Sequence, residues 1–278
     1  MHEGWRYYNH AAIPTSAPHE EANMEPIESG RIWKMFDGKS PLMARWTSDF
    51  DCQYETNWWY LIREKPFVID SLEKKCKKHI NQALRKCTVT QLNPCNNIDD
   101  LYRVYQEASK RYQKQDNFLG REAFDNQCIE ECNTGFVFWG AYIEDNLLIG
   151  YMVTKQYEMY AQISIAKFSA NYLRYRASDA LYATVLDYYL NKMELNYVSS
   201  GERSINHITG TQEYKERVFN YRKAYCHVNI CYRPGVKILL KVASCFSKIL
   251  RCFDKNVFIH QINSIIEMDE IVRNNQKY

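Results

Sequence analysis

Between Glu202 and His207 the chain sets a carboxylate, a guanidinium, a carboxamide and an imidazole within a few residues. Glu202 or His207 can take a proton from a nucleophile near neutral pH, and Arg203, with Asn206 beside it, can bind an anionic acceptor such as a sugar phosphate. The same stretch also reads as a polar turn in which Asn206 caps the next helix and Glu202 pairs with Arg203. Tyr214 and Tyr225 are able to donate a proton to a leaving thiolate. With 22 Tyr in the chain, any given one is more often a packing residue.

Other reactive residue types carry less. His10, His19, Glu20 and Glu21 match no helical or turn spacing for a metal site, so no metal is expected. The ten cysteines include no Cys-x-x-Cys and read as reduced, buried thiols rather than a disulfide framework. Trp46, Trp58, Trp59 and Tyr60 can stack on a sugar ring, but neighbouring residues of a strand point to opposite faces, which puts at least one in the core.

Short strands and amphipathic helices must position these groups. Residues 1–30, with Pro14, Pro18 and Pro26, read as an extended leader. Strands are expected at Arg31 to Phe36, Leu42 to Trp46 and Asn57 to Ile62. From Ser71, Leu72, Cys76, Ile80 and Leu84 recur every four residues among Lys74, Lys75, Lys77, Lys78, Arg85 and Lys86: a basic amphipathic helix, then a strand at Thr88 to Leu92. That basic face is either solvated or a contact for phosphate or tRNA. Asn97 is expected to cap a helix and Arg121 to Cys132 to form another. Phe136 to Ile143 and Leu147 to Lys155 flank Glu144, Asp145 and Asn146 as a hairpin. A strand at Ala161 to Phe168, a helix capped by Ser178, a strand at Tyr197 to Ser200, a helix from His207 to Arg217 and a strand from Lys223 to Tyr232 follow. Beyond Pro234 two helical pieces are expected. The first gathers Lys237, Lys241, Lys248, Arg251 and Lys255 opposite Val236, Leu239, Leu240, Ala243, Phe246 and Leu250. It either docks on the body with a solvated basic face or brings residues 236–255 to anionic lipid or a partner.

Composition bounds the classes. In 278 residues, 46% hydrophobic and 25% charged describe a globular chain, and 36 basic against 33 acidic residues exclude binding of DNA by bulk charge. No stretch approaches the roughly 20 apolar residues that span a bilayer. The start carries no charged, apolar, small-residue signal, so a cytoplasmic location is expected.

The order of elements from Asn97 onward resembles the GNAT acyltransferase fold. Its most specific piece is Gly140 to Val153, GAYIEDNLLIGYMV, similar to that superfamily's central hairpin, with Gly150 opening the second strand. A glycine there suggests a bulge or a close backbone approach, or an ordinary tolerated glycine. Ser71 to Leu92, Tyr197 to His207 and Phe219 to Tyr225 resemble the branch of Fem-type aminoacyltransferases and cellulose-biosynthesis-type acetyltransferases. In the last of these Asn220 and Tyr221 replace the glycine and second aromatic of a Phe-Gly-Phe-Arg pattern.

The resemblance implies an α/β (α+β) fold with a mixed, mostly antiparallel sheet flanked by helices and a C-terminal helical extension. It divides the chain into the leader, a small strand and helix lobe over 31–95, a GNAT-like domain over 96–235 and amphipathic helices over 236–278. It implies transfer of an acyl group from acyl-CoA to an amine or hydroxyl of a small-molecule or cell-envelope glycan-precursor acceptor. The alternatives are Fem-like aminoacyl transfer from charged tRNA, or a non-catalytic binding protein. Glu202, His207 and Tyr225 would be catalytic, and Arg203 and Asn206 would bind the acceptor. Ser169, Asn171, Arg174, Arg176 and Ser178 would hold the acyl-CoA pyrophosphate. Yet SANYLRYRASDA, Ser169 to Ala180, lacks the glycines through which such loops approach phosphate.

Overall fold

The structure, a computed structural model, describes residues 3–110, 118–204, 210–246, 250, 252–253 and 256–275. The chain forms two compact units. One comprises Met1–Tyr60, Glu202–Ile208 and Lys223–Tyr278, the other Leu61–Gly201 and Thr209–Arg222.

The second unit carries the elements that the hairpin implied. Its strand order is β4-β9-β8-β7-β6-β5, from β4 (Trp58–Glu64), β5 (Thr88–Leu92), β6 (Phe136–Ile143), β7 (Leu147–Gln156), β8 (Tyr160–Phe168) and β9 (Tyr197–Glu202). The neighbours from β5 to β8 are antiparallel, and β8 and β9 run parallel. Side chains alternate along β7 on either side of a bulge at Ile149, so Leu148, Tyr151 and Val153 enter one core with α3 (Ile98–Ser109) and α4 (Arg121–Asn133). Ile149 and Met152 enter another with α2 (Lys74–Lys86), α5 (Ala177–Asp187) and α6 (Thr211–Phe219). Helices therefore cover both faces.

The α2 stripe holds at Cys76 and Ile80, then moves to Ala83, because 3.6 residues per turn drifts away from a strict spacing of four; Leu84 is exposed. Asn97 precedes α3, but its side chain donates to the Asn93 carbonyl at 2.8 Å instead of capping. Arg176, not Ser178, is the N-cap of α5. Asn220 ends α6 at φ 53°, the left-handed position for which glycine and then asparagine are suited, which accounts for its standing where the related pattern has glycine.

The first unit has the order β1-β2-β3-β10-β4, from β1 (Trp5–Tyr8), β2 (Ala11–Pro14), β3 (Met43–Ser48), β10 (Arg222–Tyr232) and the start of β4. The leader contains a hairpin whose two-residue turn, Asn9 and His10, has both φ positive, the conformation that matches strand twist. A short helix α1 (Glu25–Glu28) follows, with Pro26 in its first turn where no amide hydrogen is needed. The strand expected at Arg31 to Phe36 is instead a 3-10 turn, Arg31–Trp33, entered through left-handed Gly30. The turn buries Ile32, and Phe36, four residues further on, is buried beyond it. Beyond Pro234 come α7 (Val236–Cys245) and α8 (Val257–Asn275). Met268 and Ile271 of α8 pack with Trp58, Cys226 and Val228. Among the described residues no helix is long and apolar enough to cross a membrane.

Candidate functional site

The site of interest in the second unit begins where two parallel strands part. β8 and β9 pair only at Tyr160 with Tyr197, Ala161 with Val198 and Gln162 with Ser199. Beyond these, β8 continues to Phe168 without β9 beside it, and its pairing with β7 skips Ser164, a bulge that bends the strand further. The result is a fork between the two strands.

Lys215 stands at the fork. α6 carries it on the same face as Val218 and Phe219, so it is buried, and its Nζ donates to Ser200 Oγ, the next residue of β9 after the last pair. The Tyr182 ring lies 5.8 Å from the same nitrogen. No carboxylate is paired with Lys215 among the described residues. Burial favours the neutral amine and lowers its pKa from 10.5 to about 8. Lys215 was not legible as a site residue from motif spacing. The trace it leaves is a charged residue three and four positions before Val218 and Phe219, on an apolar stripe.

The loop expected to cradle pyrophosphate folds differently from a cradle. Ser169 to Tyr175 form 3-10 turns in which the amides of Tyr172 and Arg176 bond to Ser169 and Leu173 carbonyls. The Ser169 hydroxyl accepts from the Asn171 amide and donates to Glu107 of α3. At the start of α5, Arg176 Nε donates to Asp179 Oδ2 at 2.5 Å, and the amides of Asp179 and Ala180 bond to the Arg176 carbonyl. Asp179 is 1% exposed and also accepts from the Tyr214 hydroxyl. Burial and that carboxylate push the Tyr214 hydroxyl far up, so it stays protonated. Asp179 thus places a carboxylate in the first turn of α5, where the helix dipole favours it, without bonding the helix's own amides.

Ile149, Phe168, Ser169, Tyr172, Arg176 and Ser178 are among the residues lining a cavity of only ≈ 90 Å³ there, well below the volumes that hold small ligands. Gly150 supports this packing: a Cβ on it would meet Phe168 Cδ1 at 3.0 Å, Ala177 Cβ at 3.2 Å and the Lys167 carbonyl at 3.3 Å. Ile149 is the extra residue of a bulge beside it. The glycine thus serves both a bulge and a close approach. Arg174 lies outside the small cavity, with its guanidinium over Tyr175. The amides of Tyr172, Arg176, Asp179 and Ala180 and the side chains of Ser169 and Arg176 already have partners inside the chain, which leaves fewer donors for a pyrophosphate than a glycine loop would offer. A larger cavity of ≈ 650 Å³ opens between the end of α2 and the β6–β7 turn, with Arg85, Lys86 and Arg174 in its lining together with Glu144 and Asp145.

The remaining sequence candidates belong to the first unit. Glu202 is ion-paired with Arg45, whose guanidinium lies over the Trp58 ring. Arg203 donates to the Asn57 carbonyl at 2.5 Å and covers one aromatic, Trp59, at 4.8 Å, which Lys223 also approaches at 4.7 Å. Trp58 is fully buried, in line with the alternation of a strand. Tyr225 donates to Glu55 Oε1 at 3.2 Å. Asn206 and His207 lie outside the described residues. All ten cysteines are free; Cys76, Cys87, Cys128 and Cys226 are buried and the rest are not, so burial describes only four of them. No cluster of three or more metal-ligating side chains occurs among the described residues.

No family model matches the sequence, and no curated protein matches it. In fold the chain is similar to FemX, at 8% identity over 86% of this chain and 85% of that one, with a TM-score of 0.56. It is also similar to the C-terminal domain (DUF2156) of a putative lysylphosphatidylglycerol synthetase from Agrobacterium fabrum, at 14% identity over 87% and 84% with a TM-score of 0.50. A conserved protein of unknown function from Bacteroides thetaiotaomicron VPI-5482 aligns at 11% identity over 80% and 79%, with a TM-score of 0.51. At such identities the likeness defines the fold: GNAT-like, with a mostly antiparallel sheet and flanking helices.

Proposed function

We propose that this chain transfers an aminoacyl group from a charged tRNA to an amine or hydroxyl of a cell-envelope precursor or lipid acceptor. The observation that carries the proposal is the fork between β8 and β9 with Lys215 buried at its mouth. An amine that is about half neutral near pH 8 can take the proton of an attacking nucleophile, which activates it as the ester carbonyl is attacked. The acyl C–O bond then breaks and the tRNA terminal oxygen leaves as a hydroxyl with the proton that Lys215 has taken from the nucleophile. The stretch of β8 beyond its last pair with β9 offers backbone amides to a developing oxyanion.

Two features favour a tRNA ester over acyl-CoA as donor. The loop from Ser169 to Ser178 has no glycine, several of its amides and side chains are taken by partners inside the chain, and the cavity beside it is only ≈ 90 Å³, which disfavours a pyrophosphate cradle. The exposed lysines of α2 and the Arg85, Lys86 and Arg174 side chains of the large cavity offer a basic surface to a phosphodiester backbone. Likeness to FemX and to a lysylphosphatidylglycerol synthetase domain over most of the chain agrees with an envelope or lipid acceptor. Glu202, held by Arg45, serves structure in this reading, and Lys215 takes the role first sought at Glu202 or His207.

The test is a donor panel. Purified protein is given tRNA charged with labelled amino acids or a set of acyl-CoA thioesters, each with nucleotide-sugar and lipid extracts. Label leaving tRNA for the acceptor fraction supports the proposal. Release of free thiol from acyl-CoA, with every charged tRNA left intact, refutes it.

A further inference from the structure

A second surface, on the first unit, stands apart from the transfer reading. Helix α7 has no fully buried residue. Val236, Leu240, Ala243 and Ser244 are half-buried along one side. At 100° per residue, Ile238, Leu239, Val242 and Phe246 gather in another sector. They are 69%, 70%, 57% and 54% exposed. Scattered exposed leucines are ordinary, but four large apolar side chains on one helical face, on three turns, form a patch that water disfavours. Lys237 and Lys241 are exposed and lie between the two sectors.

The charge pattern selects the occupant. α7, VKILLKVASC, holds no acidic residue. A second copy seated on the same face would align Lys237 and Lys241 of both chains with no carboxylate on the helix to answer them. An anionic bilayer answers both features together: headgroup phosphates receive the ammonium groups while the apolar sector enters the acyl boundary.

We propose that α7 docks the protein on an anionic membrane surface, with Ile238, Leu239, Val242 and Phe246 inserted and Lys237 and Lys241 on lipid phosphate. In this arrangement α7 lies along the bilayer surface.

The experiment is co-sedimentation of the full chain with phosphatidylcholine vesicles made with and without phosphatidylglycerol. Leu239→Asp with Phe246→Asp, and Lys237→Ala with Lys241→Ala, are compared with wild type, each checked for an unchanged melting transition. All four positions are exposed, so the fold tolerates them. Wild type is expected to bind vesicles containing phosphatidylglycerol. The aspartate variant should lose about tenfold or more of this partitioning. The alanine variant should lose about 20- to 30-fold, at about fivefold per basic residue. No binding to anionic vesicles, or equal binding by all three proteins, overturns the proposal. So does a dimer in light scattering that L239D/F246D dissociates while vesicle binding is absent, since the face would then join two copies.

Discussion

Lys215 Nζ donates to the hydroxyl of Ser200, the first residue of β9 beyond its last pairing with β8. The strand fork and a buried amine therefore meet at one point, and the energetics of that amine are open to measurement.

Because the folded-state pKa of Lys215, about 8, lies below its ordinary 10.5, the charged amine destabilises the folded state. The cost is full below pH 8, eases as pH rises from 8, and is gone above 10.5. At about 1.4 kcal/mol per pKa step it reaches about 3 kcal/mol, less about 1 for the bond to Ser200. Lys215→Met is thus expected to be about 2 kcal/mol more stable than wild type in urea at pH 7, with the advantage vanishing near pH 10. A less stable variant at pH 7 would contradict this.

Asp179 bonds both Arg176 and Tyr214 from a buried position. Asp179→Ala leaves a guanidinium and a hydroxyl without their acceptor and is expected to cost about 2–3 kcal/mol by urea denaturation, Arg176 being partly solvated. Asp179→Asn, which still accepts one bond, should cost less. Calorimetry of either variant or of wild type with coenzyme A should show no saturable heat.

Gly150→Ala is expected to destabilise by about 1–3 kcal/mol, because one of the crowding atoms is backbone and another is the first Cβ of α5. Gly140→Ala should also cost in that range: its Cβ would come within 2.7 Å of Leu92 Cδ2 and Tyr142 Cε2. Thermal melts with the two alanine variants measure both.

Arg45 and Glu202 form a partly buried pair, 14% and 30% exposed. Arg45→Met and Glu202→Gln are each expected to destabilise, with a double-mutant coupling of about 1–2 kcal/mol. Transfer by Glu202→Gln should fall by less than about tenfold, whereas loss of a general base costs about 100-fold or more.

Much of the second unit was legible because its patterns are local. Thr88–Leu92, Phe136–Ile143 and the start of α4 at Arg121 have the expected bounds, set by alternation and turn residues. What failed depended on long-range context. Arg31 to Phe36 has strand-like residues, but left-handed Gly30 and burial of Ile32 and Phe36 make it a turn. Ser178 has the chemistry of a cap, yet Arg176 takes that position because Asp179 holds its side chain. Of the two readings of α7, docking on the body does not hold for Leu239 and Phe246, which are exposed. At the site, proximity in sequence drew attention to Glu202 and Arg203, whose partners Arg45 and Asn57 come from distant strands and loops. Lys215 was hidden for the same reason: its partner Ser200 lies on another element.

The most direct test is the single-turnover rate of aminoacyl transfer from charged tRNA across pH 6.5 to about 9.5, in wild type and Lys215→Met. A neutral Lys215 as base predicts a wild-type rate that rises tenfold per pH step and levels off near pH 8. The variant should be about 100-fold slower or more at the plateau and lack the inflection. Full transfer by a folded Lys215→Met protein, with the same pH profile as wild type, would contradict the assignment.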